Sequence, residues 1–142
     1  MIRILILCTG NSCRSQMAQA ILQNLGKKID VYSAGTAPTE HINPYAIKVM
    51  KEIGIDISGR HPKNVSIYLN QTWDYVITVC NNAKESCPAF TGDVKNVIHI
   101  AFDDPALADG TEEQKENTFR KTRDQIIDKM GTLFTTEIND KK

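Results

Sequence analysis

Residues 2–15 read IRILILCTGNSCRS, and the fold turns on how this stretch is divided. Positions 2–7 are apolar apart from Arg3, and a short run rich in Ile and Leu is the pattern of a strand buried on both faces of a parallel sheet. From Gln16 onward the apolar residues recur at helical spacing, so the segment from Cys8 to Ser15 joins a strand to a helix. Such loops are where α/β proteins bind anions, because a helix N-terminus offers N–H groups without intrahelical partners and a positive end of the dipole.

Working outward, Met17, Ala18, Ile21, Leu22 and Leu25 predict a first helix over residues 15–25, closed by Gly26 as a C-terminal cap. Residues 29–34 predict a second strand ending at Gly35, and Asn43-Pro44 forms an N-cap and first position for a helix that stops at Gly54. Residues 56–74 read as a loop with a weak helical piece near 66–69. The β-branched run of residues 74–80, ending in Cys80, predicts the third strand, and VIHIAF, residues 97–102, the fourth. Residues 111–134 carry Phe119, Ile126, Ile127, Met130 and Phe134 on one broad face and predict a closing helix. This order of elements argues for a single α/β domain in three layers, a four-stranded parallel sheet with helices on both faces. It is expected to span residues 1–136, with 137–142 a frayed tail.

Seventeen basic residues balance seventeen acidic ones in 142 positions, which lacks the basic excess of a nucleic-acid binder. No apolar stretch approaches the ~18 residues of a membrane span, and the apolar start is too short for a secretory signal. A cytoplasmic protein is expected, with a monomer as the default. Four cysteines in such a chain point to redox or metal chemistry rather than a static disulfide framework. The Cys8/Cys13 and Cys80/Cys87 separations do not fit zinc spacing, and His41, His61 and His99 are scattered singly, so no metal is expected.

Cys8 and Arg14 form a C-x5-R arrangement followed by Ser15 at the helix start. If the backbone of Thr9, Gly10, Asn11, Ser12 and Cys13 curls inward, its N–H groups and the helix dipole form a cradle for a tetrahedral oxyanion, which Arg14 grips with a bidentate fork. The same field favours a nucleophilic thiolate at Cys8, with the Ser15 hydroxyl placed to hold it. Taken alone, these residues also fit a buried cysteine at a strand end beside a solvated arginine.

CTGNSCRSQMA between a strand and a helix resembles the low-molecular-weight protein tyrosine phosphatase superfamily, and in particular the thioredoxin-coupled arsenate reductases built on that fold. VYSAG, NPYAI, IDIS, the strand ending in Cys80 and FDDPA match in order along nearly the whole chain. The superfamily's phosphatases usually carry proline after CRS, whereas Gln16 gives the SQMA of the reductases. Chemistry separates the two activities as well: hydrolysis of a phosphate ester needs one thiolate, an acid and water, but reduction of arsenate to arsenite needs two electrons, which two thiols supply by becoming a disulfide.

The resemblance implies that Cys8 attacks arsenate while Asp104, before Pro105, protonates the departing oxygen; Cys80 then attacks Cys8, and Cys87 displaces Cys8 to leave a Cys80–Cys87 disulfide. It implies no bound cofactor, with thioredoxin supplying the reducing equivalents, although the residues themselves fit either thioredoxin or a glutaredoxin. Phosphate or sulfate is expected to mimic the substrate. Such a relay requires residues 80–87 to rearrange, since a disulfide needs Cα atoms within roughly 7 Å.

The remaining candidates read more plainly. Cys13 is expected to turn into the protein as a structural residue, Asp103 is the alternative acid to Asp104, and Trp73 is expected to pack in the core or its rim. His61 and His99 receive no role. A phosphatase is the alternative reading, weakened by Ala106-Leu107 where phosphatases of this fold tend to place aromatic residues. Several related reductases hold a potassium ion behind the loop through its asparagine, here Asn11, using acidic side chains at the positions of Gln19 and Lys63. Neither carboxylate is present, so Lys63 either supplies the charge itself or is a solvated loop residue.

Overall fold

The computed structural model describes residues 1–79 and 88–138. Four strands, β1 (Ile2–Cys8), β2 (Ile29–Gly35), β3 (Trp73–Thr78) and β4 (Val94–His99), form one parallel sheet in the order β2-β1-β3-β4. Three helices accompany them: α1 (Arg14–Leu25), α2 (Pro44–Lys51) and α3 (Glu112–Leu133). The alternation within β1 assigns the layers. Ile4, Ile6 and Cys8 face a core shared with Met17 and Ile21 of α1, Val49 of α2, and Phe119 and Ile126 of α3. Leu5 and Leu7 face the opposite layer, which the short 3₁₀ helix Val65–Tyr68 covers together with Trp73. Residues 4–8 are therefore buried on both faces, which is why the sequence shows an unbroken apolar run there.

Trp73 lies in that second layer, 1% exposed, its ring against Tyr32 and Tyr68 at 5.4 and 5.5 Å and the Arg3 guanidinium 4.4 Å from its centroid. On the other side Arg120 and Arg123 of α3 grip Glu52 at the end of α2. Those contacts, with Arg120 foremost, hold the Glu52 carboxyl down at about 2.

The fourth strand lies three residues earlier than expected. Hydrophobicity alone selects residues 97–102, but pairing to β3 sets Trp73 opposite Val94 and Thr78 opposite His99. β4 is an edge strand in which half-buried and exposed residues alternate, so its apolar content does not mark its limits. Gly26 is likewise no left-handed cap: its φ of −150° and ψ of 149° are extended. A Cβ at Gly26 would meet the Phe134 ring at 2.8 Å, so packing explains the glycine. The closing helix starts with a capping box, Thr111 and Gln114 bonding each other's backbone N–H groups. It ends in a π turn, Phe134–Ile138, with Ile138 fully buried and Tyr75 Oη donating to Glu137 O at 3.2 Å. The expected fraying from residue 137 thus does not reach Ile138; residues 139–142 lie outside the described residues.

The strand order places the functional end. The chain leaves β1 toward β2 on one side and later returns to β3 on the other, so the carboxyl end of β1 is the switch point of an open parallel sheet, where a crevice opens. Cys8 is the last residue of β1.

Candidate active site

The loop from Cys8 to Arg14 is held by its carbonyls. Cys8 O, Thr9 O, Gly10 O and Ser12 O accept hydrogen bonds from the backbone N–H groups of Thr36, Ala37, Thr39 and Asn43, at 3.2, 2.9, 3.0 and 2.8 Å. In a trans peptide the following N–H points opposite to the carbonyl, and no described peptide is cis. Turning four carbonyls outward therefore turns the N–H groups of Thr9, Gly10, Asn11 and Cys13 toward the inside of the loop. This is the concave arrangement that suits an oxyanion. Gly35 permits the approach of β2: a Cβ there would lie 2.3 Å from Thr9 O, an impossible contact with backbone.

Arg14, 7% exposed, crosses from α1 to the segment after β4. Its Nη1 donates to Phe102 O at 3.0 Å and its Nη2 lies 3.4 Å from Asp104 Oδ2, while its buried Nε has no partner among the described residues. Asp104 is fixed from its own side, because Oδ1 accepts from Ala106 N at 3.0 Å and so caps the turn Pro105–Leu107. Asp103 is exposed. Arg14 and Asp104 thus meet, from α1 and the loop after β4, beside a loop that begins at Cys8, the last residue of β1.

Cys13 does turn inward, 4% exposed, with Sγ 3.8 Å from Asp104 Oδ1. Burial, reinforced by the Asp104 charge and only partly offset by Arg14, pushes its thiol up to about 11. It stays protonated at neutral pH and is no competing nucleophile. Cys80 and Cys87 lie outside the described residues.

Behind the loop sits a layer of buried polar side chains that sequence reading foresaw only in part. Asn11, at φ +52°, is fully buried. Its Nδ2 donates to Ser15 Oγ at 2.7 Å and Ser33 Oγ at 3.0 Å; its Oδ1 accepts from Gln16 Nε2 at 3.0 Å and Lys63 N at 2.9 Å. Ser33 in turn donates to Gln19 Oε1 at 2.6 Å. Ser33, the 36–43 backbone and the Phe102 carbonyl carry no short-range signal and were missed; Gly35 at a strand end was the one available hint.

These contacts bear on the potassium site. Both Asn11 Oδ1 lone pairs and the Gln19 oxygen are engaged by protein donors, and no carboxylate among the described residues joins them, so the described donor set does not fit a monovalent cation. Lys63 meets Asn11 through its backbone N–H, whereas its Nζ turns to His61 O at 3.1 Å. Desolvation, with Arg60 adding to it, lowers the Lys63 ammonium's affinity for its proton. We expect equal melting temperatures and phosphate affinities in potassium and sodium salts at matched ionic strength, and no loss in Lys63→Ala, which keeps the backbone N–H. A potassium-specific gain in differential scanning fluorimetry would contradict this account.

A parallel sheet in this order, with a thiol and an arginine bracketing an inward-facing N–H loop, defines a phosphatase-type oxyanion enzyme. The chain belongs to the low molecular weight phosphotyrosine protein phosphatase family, whose model matches residues 3–142. Among its relatives are the arsenate reductases of Halalkalibacterium halodurans, 48% identical over 94% of this chain and 95% of that protein, and of Bacillus subtilis, 45% identical over the same shares. A solved arsenate reductase in the phosphate binding state superposes with a TM-score of 0.79 at 30% identity, covering 95% of this chain and 98% of that one.

Proposed function

We propose that this enzyme is an arsenate reductase that passes electrons through Cys8, Cys80 and Cys87 and is regenerated by thioredoxin. The observation that carries the reading is the convergence of Arg14 and Asp104 on an inward-facing N–H loop that begins at Cys8. The relatives named above add support, as does the phosphate-bound state of the similar structure.

In this scheme arsenate occupies the loop as a tetrahedral oxyanion, held by the N–H groups and by Arg14. The positive end of α1 and the guanidinium favour the Cys8 thiolate. Its sulfur bonds to arsenic while Asp104 gives a proton to the departing oxygen, which leaves as water. The Cys80 thiolate then attacks Cys8 Sγ. The S–As bond breaks, its electron pair stays on arsenic, and arsenic(V) becomes arsenic(III) as a Cys8–Cys80 disulfide forms. Cys87 attacks Cys80 and expels Cys8, and thioredoxin reduces the Cys80–Cys87 pair by two electrons.

We take the enzyme to work in the cytoplasm as a monomer; no described helix is long and apolar enough to cross a membrane. The test is arsenate-dependent NADPH oxidation through thioredoxin and thioredoxin reductase, run beside hydrolysis of an aryl phosphate. Coupled turnover with weak hydrolysis is expected. Strong hydrolysis without coupled turnover would make the protein a phosphatase.

A further inference from the structure

Gln16, fully buried in the first turn of α1, touches neither the reacting sulfur nor Arg14 in the described contacts, yet its two Nε2 hydrogens serve three acceptors on the loop and its support. Its Nε2 donates to Asn11 O at 3.2 Å, Asn11 Oδ1 at 3.0 Å and His61 O at 3.2 Å, while its Oε1 has no partner among the described residues. Turning the amide over would set an oxygen against three oxygens. The position therefore requires a donor strongly enough to leave a buried carbonyl orphaned.

What this donor holds is Asn11. The Asn11 amide makes all four hydrogen bonds its atoms allow, and Asn11 is the one non-glycine residue at positive φ among the described residues. Gln16 grips both the backbone carbonyl and Oδ1 of this residue, which fixes the left-handed turn and the sense of the amide together. With the amide in that sense, Ser15 Oγ is an acceptor from Asn11, so the Ser15 proton must go to a different acceptor.

We propose that Gln16 is a positioning residue for Cys8: by fixing the turn and amide sense of Asn11, it directs the Ser15 hydroxyl proton to the Cys8 sulfur. This rests on Cys8 being the nucleophile. Without the Gln16 donor Asn11 Oδ1 keeps only the Lys63 N–H, the amide is held less firmly in this sense, and wherever it turns over Oδ1 faces Ser15 and draws the serine proton away from the thiolate.

The test compares Gln16→Met, which keeps length and apolar bulk but donates nothing, with Gln23→Met. Gln23 lies on the same helix and bonds the backbone of Ile29 and Val31, away from the loop. Alkylation of Cys8 by iodoacetamide is followed by peptide mass across pH in the full chain. In Gln16→Met the Cys8 profile moves to higher pH by about one unit, so the rate below the transition falls about tenfold; losing a hydrogen bond to the charged form has this sign. Gln23→Met keeps the wild-type profile whatever it does to the melting temperature.

A Gln16→Met shift that persists unchanged in a Ser15→Ala background would overturn the proposal, because the effect must pass through that hydroxyl. So would a folded Gln16→Met with the wild-type profile. Should Gln16→Met not fold, the wild-type protein answers: the side-chain amide NMR signals of Asn11 and Gln16 shift with Cys8 ionisation while those of Gln23 do not, and their invariance counts against the proposal. None of these readouts needs arsenate turnover. A protein inactive on arsenate that shows them would lose the functional reading and keep this one.

Discussion

Cys8→Ser is expected to eliminate both the proposed thioredoxin-coupled arsenate reduction and any aryl-phosphate hydrolysis, whereas Cys80→Ser and Cys87→Ser are expected to eliminate only the first. The asymmetry follows from chemistry. A serine hydroxyl at the end of β1 is not ionised at neutral pH even beside Arg14 and a helix N-terminus, so attack on arsenic or phosphorus fails. It also cannot enter a disulfide, so the two-electron step has no route at all. Hydrolysis of a phosphate ester needs one thiolate, the loop, Arg14 and an acid, and no second thiol takes part in it. Cys80→Ser and Cys87→Ser therefore leave it near wild type. In Cys87→Ser one round with arsenate stops at a Cys8–Cys80 disulfide, identified by peptide mapping without reductant. Continued turnover by that variant would dismantle the relay.

Asp104→Asn is expected to slow the first chemical step by roughly 10²–10⁴-fold, the usual worth of a positioned acid. The substitution preserves local structure, since Asn Oδ1 still accepts from Ala106 N and caps the same turn. It removes a negative charge 3.4 Å from Arg14, which strengthens rather than weakens anion binding. The signature is thus a fall in single-turnover rate with phosphate affinity kept or improved. Asp103→Asn, on an exposed side chain, changes far less. The reverse pattern would move the role to Asp103.

The division between sequence and structure runs along the range of the interactions. Residues 2–25 by themselves determined the strand, the anion loop and the helix, because two-sided burial, the spacing of Cys8, Arg14 and Ser15 and the helical recurrence from Met17 to Leu25 are written in nearby positions. The cap at Asn43 was legible for the same reason: its side chain bonds a backbone N–H two residues away. The limits of β4 were not, since an edge strand is bounded by pairing to β3 and not by its own apolar run.

Within the site, residue types and their proximity to the loop were readable, but direction was not. Only the tertiary structure carries the 36–43 backbone against four loop carbonyls and so decides which way the N–H groups face. Only the approach of the segment after β4 brings Asp104, 90 positions beyond Arg14, to its guanidinium and leaves Asp103 outside. Asn11 shows the same limit most sharply: its left-handed turn is made by donors from Gln16 and Lys63, and a bond to a residue 52 positions away has no local pattern to announce it.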